Sequence, residues 1–166
     1  MTLRDCERAA EIRVGGWQTA YREIVPQSYL DRMSVPENTE RQRMRFLQPN
    51  PGVLNLVAVQ DGEITGWLCH GPYRDGEAHT DDAELYALYV APGRYRGGIG
   101  RALLRQSTRR CAAAGHGRMF LWVLKENDGA RRFYEACGFV PDGAEEPFEV
   151  DGVEVPEVRY VRKLTG

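Results

Sequence analysis

The residues best placed to do chemistry lie in the stretch Glu84–Leu104, where an apolar strand runs into a loop rich in arginine and glycine and then into an amphipathic helix. Glycines let successive backbone N–H groups turn toward one point, and a helix start at Gly98 adds unpaired N–H groups and the positive end of the helix dipole. Arg94, Arg96 and Arg101 surround this point with fixed positive charge. The stretch therefore indicates a cradle for a pyrophosphate, although the same strand–loop–helix pattern also serves as plain structural punctuation.

A second motif follows the apolar strand Met119–Leu124, where residues 127–139 read NDGARRFYEACGF. This segment resembles the N-x-x-A-x-x-x-Y-x-x-x-G-F signature of the GNAT family of N-acetyltransferases. The loop Tyr95–Gly100, YRGGIG, then resembles the acetyl-CoA loop of that family, in which Gln or Arg is followed by x-x-Gly-x and then Gly or Ala. The resemblance covers about Val53–Leu164, with a looser similarity over Trp17–Leu30.

This resemblance implies an α/β (α+β) architecture, the GNAT fold, in which a mixed and mostly antiparallel sheet carries helices on both faces. At 166 residues the chain is long enough for one domain with a sizeable core, so we expect a single N-acetyltransferase domain over residues 1–166. The resemblance also implies acetyl-CoA as the cosubstrate. The residues that it assigns to coenzyme binding are Leu88, Tyr89, Val90, Tyr95, Arg96, Gly97, Gly98, Ile99, Gly100, Arg101, Asn127 and Tyr134.

One position departs from the family pattern, because Tyr95 stands where the family usually has glutamine or arginine. A cradle of this kind acts mainly through backbone N–H groups, so the loop is still expected to bind pyrophosphate. The neighbouring Arg94 or Arg96 could supply the missing side-chain contact.

The resemblance assigns the general acid to Tyr134, on the helix after Asn127. A phenol has a pKa of about 10 and a thiol one of about 8.5, so the phenol is protonated at neutral pH and can protonate a departing thiolate. The alternative for Tyr134 is a core tyrosine. Asn127 is expected to bond the coenzyme arm and also suits a helix N-cap. Pantetheine is expected to pair with the backbone of Leu88–Val90 like an extra strand, while an N–H of Tyr89 or Val90 donates to the thioester oxygen.

The general base is less well defined by the sequence. A substrate ammonium has a pKa of about 10, so a carboxylate acting directly or through water would help to deprotonate it. Glu84 is the first candidate, and strand alternation predicts that Tyr86 and Leu88 share its face of the sheet. A solvated carboxylate at a strand end is the alternative for Glu84. His70 and water remain as other candidates for the base.

The acceptor is expected to be a primary amine of a small molecule or a peptide N-terminus. An amino-sugar antibiotic acetyltransferase is an alternative, because Asp81, Asp82 and Glu84 could form an acidic pocket. A non-catalytic acyl-CoA-binding or sensor module is another, although Tyr134 and Asn127 argue against it. The pocket is expected to form from the N-terminal helices and the hairpin loops, with the candidate aromatic residues Trp17, Tyr21, Tyr29, Trp67, Tyr73 and Phe148.

Composition argues against several other classes of protein. A net charge of −2 is unsuited to nucleic acid as the main partner. No run of about 18 apolar residues predicts a membrane span, and the N-terminus is too polar for a signal peptide. The four cysteines are scattered, and no cluster of His, Cys, Asp or Glu has metal-ligand spacing. We therefore expect reduced thiols, a cytoplasmic protein and no metal.

Hydrophobic periodicity and turn residues predict a mixed α/β order of elements. The predicted helices are Asp5–Tyr21, Pro26–Met33, Glu37–Leu47, Gly98–Ala114 and Asp128–Ala136. The predicted strands are Val53–Val59, Ile64–Cys69, Glu84–Val90, Met119–Leu124, one near Phe139, Phe148–Val150 and Val153–Lys163, with a polar loop at Arg74–Asp82.

The beginning of the chain is unusual for the GNAT fold, which commonly starts with a strand before the first helix. Only Met1–Arg4 precede the first predicted helix. Either the start codon is misassigned or that edge strand is very short or missing. An exposed sheet edge and the hairpin Phe148–Val161 would invite pairing with another chain, so we expect a homodimer.

Overall fold

The computed structural model describes residues 1–48, 50–75 and 78–164. Within these ranges the helices are α1 Cys6–Ala20, α2 Gln27–Asp31, α3 Val35–Leu47, α4 Ile99–Ala113 and α5 Asp128–Ala136. The strands are β1 Leu54–Gln60, β2 Glu63–Asp75, β3 Ala78–Val90, β4 Arg118–Leu124, β5 Val140–Val150 and β6 Val153–Lys163. Within residues 1–48 the only element before α1 is a short 3₁₀ turn, Leu3–Asp5, in agreement with the expectation that the first edge strand is short or missing.

The described strands form one sheet in the order β1-β2-β3-β4-β6-β5. Neighbouring strands are antiparallel except β3 and β4, which run parallel and are connected through α4. This topology confirms the predicted mixed, mostly antiparallel sheet. Its edges are β1 and β5, and β5 contains Pro141 and Pro147, which an edge strand tolerates better than a central one.

Helices cover both faces of the sheet, as predicted. On one face α4 buries Leu103 and Leu104 in the larger apolar cluster, to which α5 also contributes. On the other face α1 and α2 bury Trp17 and Leu30 in a second cluster. Gly16 lets α1 approach β3 closely, because a Cβ at this position would lie 3.0 Å from the Tyr89 ring.

The prediction of a polar loop at Arg74–Asp82 is wrong, because the described residues of this segment form strands. β2 continues to Asp75 and β3 begins at Ala78, so the two strands extend as a longer hairpin, and residues 76–77 lie outside the described ranges. The ladder joins backbone groups whatever the side chains are, so a polar segment can pair when its neighbour extends beside it. Similarly, the two short strands predicted near Phe139 and at Phe148–Val150 form the single strand β5.

β3 and β4 separate soon after they meet, because a bulge interrupts β3. The parallel pairing involves only Ala83–Leu85 of β3. Tyr86 is then an extra residue, since its two neighbours in β3 face consecutive residues of β2, Cys69 and His70. A bulge bends a strand and increases its local twist. β3 therefore turns away from β4 beyond this point.

Contacts with β2 hold the bulged residue in place. The Tyr86 ring lies over Gly71, where a Cβ would come within 2.7 Å of it. The Tyr86 hydroxyl donates a hydrogen bond of 2.6 Å to the carbonyl oxygen of Pro72. The guanidinium of Arg74 covers the ring at 4.2 Å from its centre. These contacts explain why only glycine fits at position 71.

The bulge also reverses the alternation of side chains along β3. Leu85 and Leu88 both belong to the apolar cluster beneath α4, although they are three residues apart. The expectation that Leu88 shares the face of Glu84 is therefore wrong, because Glu84 lines a cavity on the side of α1 and α3.

Candidate active site

Two cavities meet where β3 and β4 separate. The first, here the cradle cavity, encloses about 920 Å³ between the loop Tyr95–Gly100, β3 and α5. The second, here the α3 cavity, encloses about 800 Å³ between α1, α3, β3 and β5. The residues that line both are Tyr21, Leu85, Tyr86, Ala87, Tyr89, Trp122, Leu124 and Glu157. Ligands in the two cavities would therefore meet between the strands.

The loop before α4 has the geometry of an anion site. Gly98 is the N-cap of α4 at a φ of 78°, in the left-handed region, and it has no side chain to cap the helix. The first-turn N–H groups of Ile99–Arg101 therefore have no partner within the helix. Gly100 packs closely on α5, because a Cβ there would lie 3.3 Å from the Phe133 ring. Free N–H donors and the positive end of the helix dipole suit a pyrophosphate.

The charged residues that the sequence placed around this loop line the same cavity. Arg94, Arg96 and Arg101 are exposed and border the cradle cavity. Arg94 lies 4.0 Å from Glu63, which is a weak surface pair. Tyr95 is 47% exposed, so its side chain does not fill the cradle.

The backbone of β3 offers donors to the gap at alternate residues. The N–H of Ala91 donates to the carbonyl oxygen of Thr65 in β2 at 2.9 Å. Because ladder bonds of an antiparallel pair alternate, Tyr89 also bonds toward β2, while Leu88 and Val90 turn their N–H groups toward the open side. The sequence left both Tyr89 and Val90 open as the donor to the thioester oxygen. Of these two, only Val90 turns its N–H toward the gap.

The start of α5 places Asn127 at the cradle cavity. Its Oδ1 accepts a hydrogen bond of 3.1 Å from the backbone N–H of Ala130, so the residue caps the helix. Its Nδ2 has no hydrogen-bond partner among residues 1–48, 50–75 and 78–164, and it remains available to a ligand. Capping and ligand binding are thus compatible at this position.

Tyr134 lies about two turns further along α5 and also lines the cradle cavity. Its ring packs edge-on against Phe133 and Phe139, with centroid distances of 5.2 and 6.0 Å. Burial raises the pKa of Tyr134 well above its usual value, and the nearby Tyr89 and Cys137 add to the rise. Its hydroxyl makes no hydrogen bond to any described residue. The phenol is therefore protonated and unengaged at neutral pH.

Glu84 is buried and fully engaged with Arg74. Its Oε1 accepts a hydrogen bond of 2.6 Å from the Arg74 guanidinium, and its Oε2 accepts two more of 3.1 Å from the side chain and backbone of the same residue. Both oxygens of this buried carboxylate are therefore occupied by charge-assisted hydrogen bonds from Arg74, whose own side chain is about half exposed. Glu84 does line the α3 cavity.

His70 lines neither cavity. It is 5% exposed on β2, and its Nδ1 lies 2.7 Å from the Ser107 hydroxyl of α4. Burial lowers the pKa of His70 to about 4, and the positive charges of His116 and Arg110 contribute. The ring is therefore neutral and packed beneath α4, which favours a structural role.

Glu157 is a carboxylate that the sequence reasoning missed, and it lines both cavities. It lies on β6 between Leu124 of β4 and Glu146 of β5. Burial raises the pKa of Glu157 to about 7, and the negative charges of Glu146 and Glu84 add to the rise. It has no salt bridge or hydrogen bond to the described side chains. The group is thus poised to exchange a proton near neutral pH.

A signal for Glu157 was present in the sequence. Val155 is buried on the α1 side of β6, and Glu157 shares its phase in the strand, so an acidic residue occupies an inward-facing position. What the alternation could not show was which carboxylates would lie beside it, because Glu146 and Glu84 come from other strands.

Aromatic residues connect the two cavities near Glu157. Trp17 Nε1 donates a hydrogen bond of 2.8 Å to the Tyr89 hydroxyl, and Trp17 and Tyr21 pack edge to face at 4.7 Å. Burial raises the pKa of Tyr21, and Tyr89, Tyr134 and Glu157 add to that rise, so these polar groups lie close together. Of the aromatic residues expected at the pocket, Trp17, Tyr21, Trp67 and Phe148 line the α3 cavity.

Two further observations concern only the described part of the chain. No group of three or more His, Cys, Asp or Glu residues there could hold a metal ion. None of its helices combines the length and the apolar character that crossing a membrane requires.

Comparison with known proteins identifies the family. The model of the GNAT acetyltransferase family matches residues 17–139. YuaI of Bacillus subtilis (strain 168), an N-acetyltransferase described as uncharacterised, is 35% identical over 157 residues, 94% of this chain and 86% of YuaI. The probable N-acetyltransferase Rv2775 of Mycobacterium tuberculosis (strain ATCC 25618 / H37Rv) is 29% identical over 94% of this chain and 87% of its own length.

Solved structures share the fold. PaiA N-acetyltransferase from Thermoplasma acidophilum, in complex with coenzyme A, superposes with a TM-score of 0.73 at 21% identity, over 98% of this chain and 95% of that one. YncA from Salmonella typhimurium, with its cofactor acetyl-CoA, gives 0.74 at 21% identity, over 100% and 92%. The chain belongs to the GNAT acetyltransferase family. Its predicted family, fold and enzyme class, an N-acetyltransferase, are confirmed.

Proposed function

We propose that this protein transfers the acetyl group of acetyl-CoA to the primary amine of a small molecule or a peptide N-terminus. The observation that carries the proposal is the opening between β3 and β4, where the cradle cavity with Tyr134 meets the α3 cavity with Glu157. The donor and the acceptor can thus approach each other from opposite sides of the sheet. Membership of the family supports the reaction class.

Acetyl-CoA supplies the thioester whose acyl group is transferred. In the proposed binding mode, the unpaired N–H groups at the start of α4 hold the pyrophosphate, and Leu88 and Val90 bond the pantetheine arm. Val90 N–H would donate to the thioester oxygen, and the Asn127 Nδ2 to the coenzyme arm. The remaining proposed contacts that line the cradle cavity are Tyr89 through its side chain, Tyr95, Arg96, Gly98, Ile99, Gly100, Arg101 and Tyr134. Gly97 does not line this cavity, and its contact is proposed from the sequence motif alone.

The first prediction tests the cradle by thermal unfolding. Acetyl-CoA at about 100 times its Kd should stabilise the wild-type protein by about 2.7 kcal/mol, or roughly 5–10 °C in Tm. Gly98→Asp should abolish the shift by placing negative charge at the pyrophosphate, and it should fold because a Cβ there meets open space and Asp tolerates a positive φ. Gly100→Asp should also abolish the shift, because its side chain would add the same charge.

Gly117→Asp is the matched control, because it makes the same change in open space in the loop between α4 and β4. It should keep the full thermal shift. A Gly98→Asp protein with a wild-type shift would contradict the cradle assignment.

The proposed chemistry needs one group that accepts a proton and one that gives a proton. Glu157 takes a proton from the substrate ammonium, directly or through water, so that the nitrogen lone pair can attack the thioester carbon. As the C–N bond forms and the C–S bond breaks, the nitrogen releases its second proton to solvent, and Tyr134 gives its own proton to the departing sulfur and later regains one from solvent. We propose Glu157 in this role in preference to Glu84, because the Arg74 ion pair occupies the Glu84 carboxylate.

The second prediction concerns the pH dependence of the reaction. Glu157 accepts a proton only when it is ionised, so kcat/KM should rise with pH, and the midpoint of this rise should lie near 7, the pKa of Glu157. The titration of the substrate amine itself should follow at higher pH. Glu157→Gln should remove this midpoint and reduce kcat by about 10²–10⁴-fold. Steady-state kinetics from about pH 5.5 to about pH 9, a range that brackets this pKa, measures both the midpoint and the fall in kcat.

Glu146→Gln provides a matched control. It removes the same charge from an exposed neighbour, so it should retain activity and shift the midpoint to lower pH. If Glu157→Gln keeps the wild-type midpoint, the base is another group, and Glu84→Gln is the next variant to measure.

The third prediction concerns Tyr134. Tyr134→Phe removes one oxygen and keeps the ring contacts with Phe133 and Phe139, so coenzyme affinity should stay near the wild-type value. Both kcat and kcat/KM should fall by about 10²–10⁴-fold, less if water can act as the acid. Steady-state kinetics and calorimetric binding of the coenzyme measure the two effects separately.

Tyr29→Phe, which removes a hydroxyl from a ring packed on Trp17, should leave kcat near the wild-type value. Unchanged kcat in Tyr134→Phe would reduce Tyr134 to a packing residue. Loss of coenzyme binding would make it a ligand contact instead.

Two alternatives remain distinguishable by experiment. For a sensor that binds acyl-CoA without turnover, no pool of amines would cause thiol release from acetyl-CoA. Thiol release that occurs without any added amine would also favour the sensor over the proposed enzyme. An amino-sugar acetyltransferase would prefer polycationic acceptors. A thiol-release assay with acetyl-CoA and pooled amines separates both from the proposed function.

The fourth prediction is the homodimer that the sequence suggested. β5 leaves one edge of its backbone unpaired within the described sheet, and an edge of this kind can pair with a second chain. Light scattering at tens of micromolar, a range of roughly 10–100 µM in which weak pairs form, should give the mass of a dimer. A monomer mass would contradict it. The cytoplasmic location also stays a prediction.

A further inference from the structure

The α3 cavity carries arginines that have no carboxylate partner among the described residues. Arg41 and Arg45 lie one turn apart on α3 and both line the cavity. Arg13 of α1 faces them, with its guanidinium hydrogen-bonded to Asn38 of α3 and 5.2 Å from the centre of the Trp17 ring. Only Arg74, which also lines the cavity, is neutralised by a carboxylate. One wall of the cavity is therefore cationic.

A buried donor on the same wall lacks a partner. The Nε2 of Gln42 is shielded from solvent, lines the α3 cavity and makes no hydrogen bond with any residue in the described ranges. Leaving such a group unpaired destabilises a folded protein, so its presence inside a cavity points to a ligand that accepts the bond. Gln42, Arg41 and Arg45 line the same cavity, so the donor and the cations can act on one ligand.

The opposite wall carries the negative charges. Glu157 and Glu146 come from β6 and β5, and the described residues give neither of them an ion-pair partner. Tyr89 lines the cavity between the two sets of charges. Its hydroxyl accepts a hydrogen bond from Trp17, whose ring packs on Tyr21 and lies 5.2 Å from the Arg13 guanidinium. The cavity thus carries positive side chains from α1 and α3 and negative side chains from β5 and β6.

We infer that the acceptor is a zwitterionic amine, with an anionic group of the carboxylate type that Arg13, Arg41, Arg45 and Gln42 bind while its amino nitrogen faces Glu157. A free amino acid is the simplest molecule with this arrangement. The inference rests on the proposed acetyl transfer and narrows its acceptor. A polycationic amino sugar would meet the arginines unfavourably, and a peptide N-terminus would offer them a neutral amide in place of the carboxylate.

The test compares matched pools of acceptors in the thiol-release assay. One pool contains L-amino acids and the other contains their primary amides, which keep each amine and side chain but lose the negative charge. The wild-type enzyme should prefer the acids by about tenfold to a hundredfold in kcat/KM, since charge-assisted hydrogen bonds are worth that much. The preference should appear mainly in KM, because the anion is bound equally before and during the reaction.

Variants locate the effect. Arg41→Gln combined with Arg45→Gln should reduce the preference for acids to below about threefold, the scale of a single neutral hydrogen bond, without reducing kcat. Arg43→Gln is the matched control, because it removes the same charge from the same helix outside the cavity, and it should keep the full preference. Both proteins should bind acetyl-CoA as the wild type does.

The outcomes are distinct. Equal use of the two pools, or a preference for the amides, would overturn the inference while leaving the acetyl transfer intact. A preference for acids that survives in the double variant would overturn the assignment of the anion to α3. If neither pool releases thiol, the inference falls together with the proposed function.

Discussion

One extra residue in β3 determines where the sheet opens and where the two cavities meet. The Tyr86 bulge parts β3 from β4 after a pairing of only three residues, and the close fit of its ring over Gly71 keeps the parting fixed. If the ladder continued, β4 would occupy the N–H groups of Leu88 and Val90. The sheet instead leaves them open between two cavities. A buried donor without a partner is unfavourable, so a gap of this kind favours a ligand that extends along the strand.

The carboxylates near the gap differ in their charged partners and in what their surroundings do to them. Arg74 neutralises Glu84 with three hydrogen bonds, which fixes both side chains beside the bulge. Glu157 has no cation to stabilise its ionised form, and the charges of Glu84 and Glu146 raise its pKa further. Glu84 therefore helps to set the pKa of Glu157, and in the proposed mechanism it influences proton transfer only through this neighbour.

The sequence could predict what local pattern encodes. The cradle loop and the cap of α5 follow from short motifs whose backbone geometry depends on neighbouring residues, such as the left-handed Gly98 and the Asn127 cap. Glu157 could not be found in this way, because its character comes from Glu146 and Glu84 on other strands. The bulge was also hidden, since a one-residue shift in register between Tyr86 and β2 leaves no mark in composition. For the same reason, alternation placed Leu88 on the wrong face.

The meeting of two cavities at one gap has a consequence for the order of binding and release. In a tunnel with a single opening, the second ligand can bind only after the first, and a product near the opening blocks the release of the other. Here the cradle cavity extends toward α5 and the loop before α4, whereas the α3 cavity extends toward α3. In the proposed reaction, the donor and the acceptor therefore occupy separate cavities, so that either can bind first and neither has to displace the other.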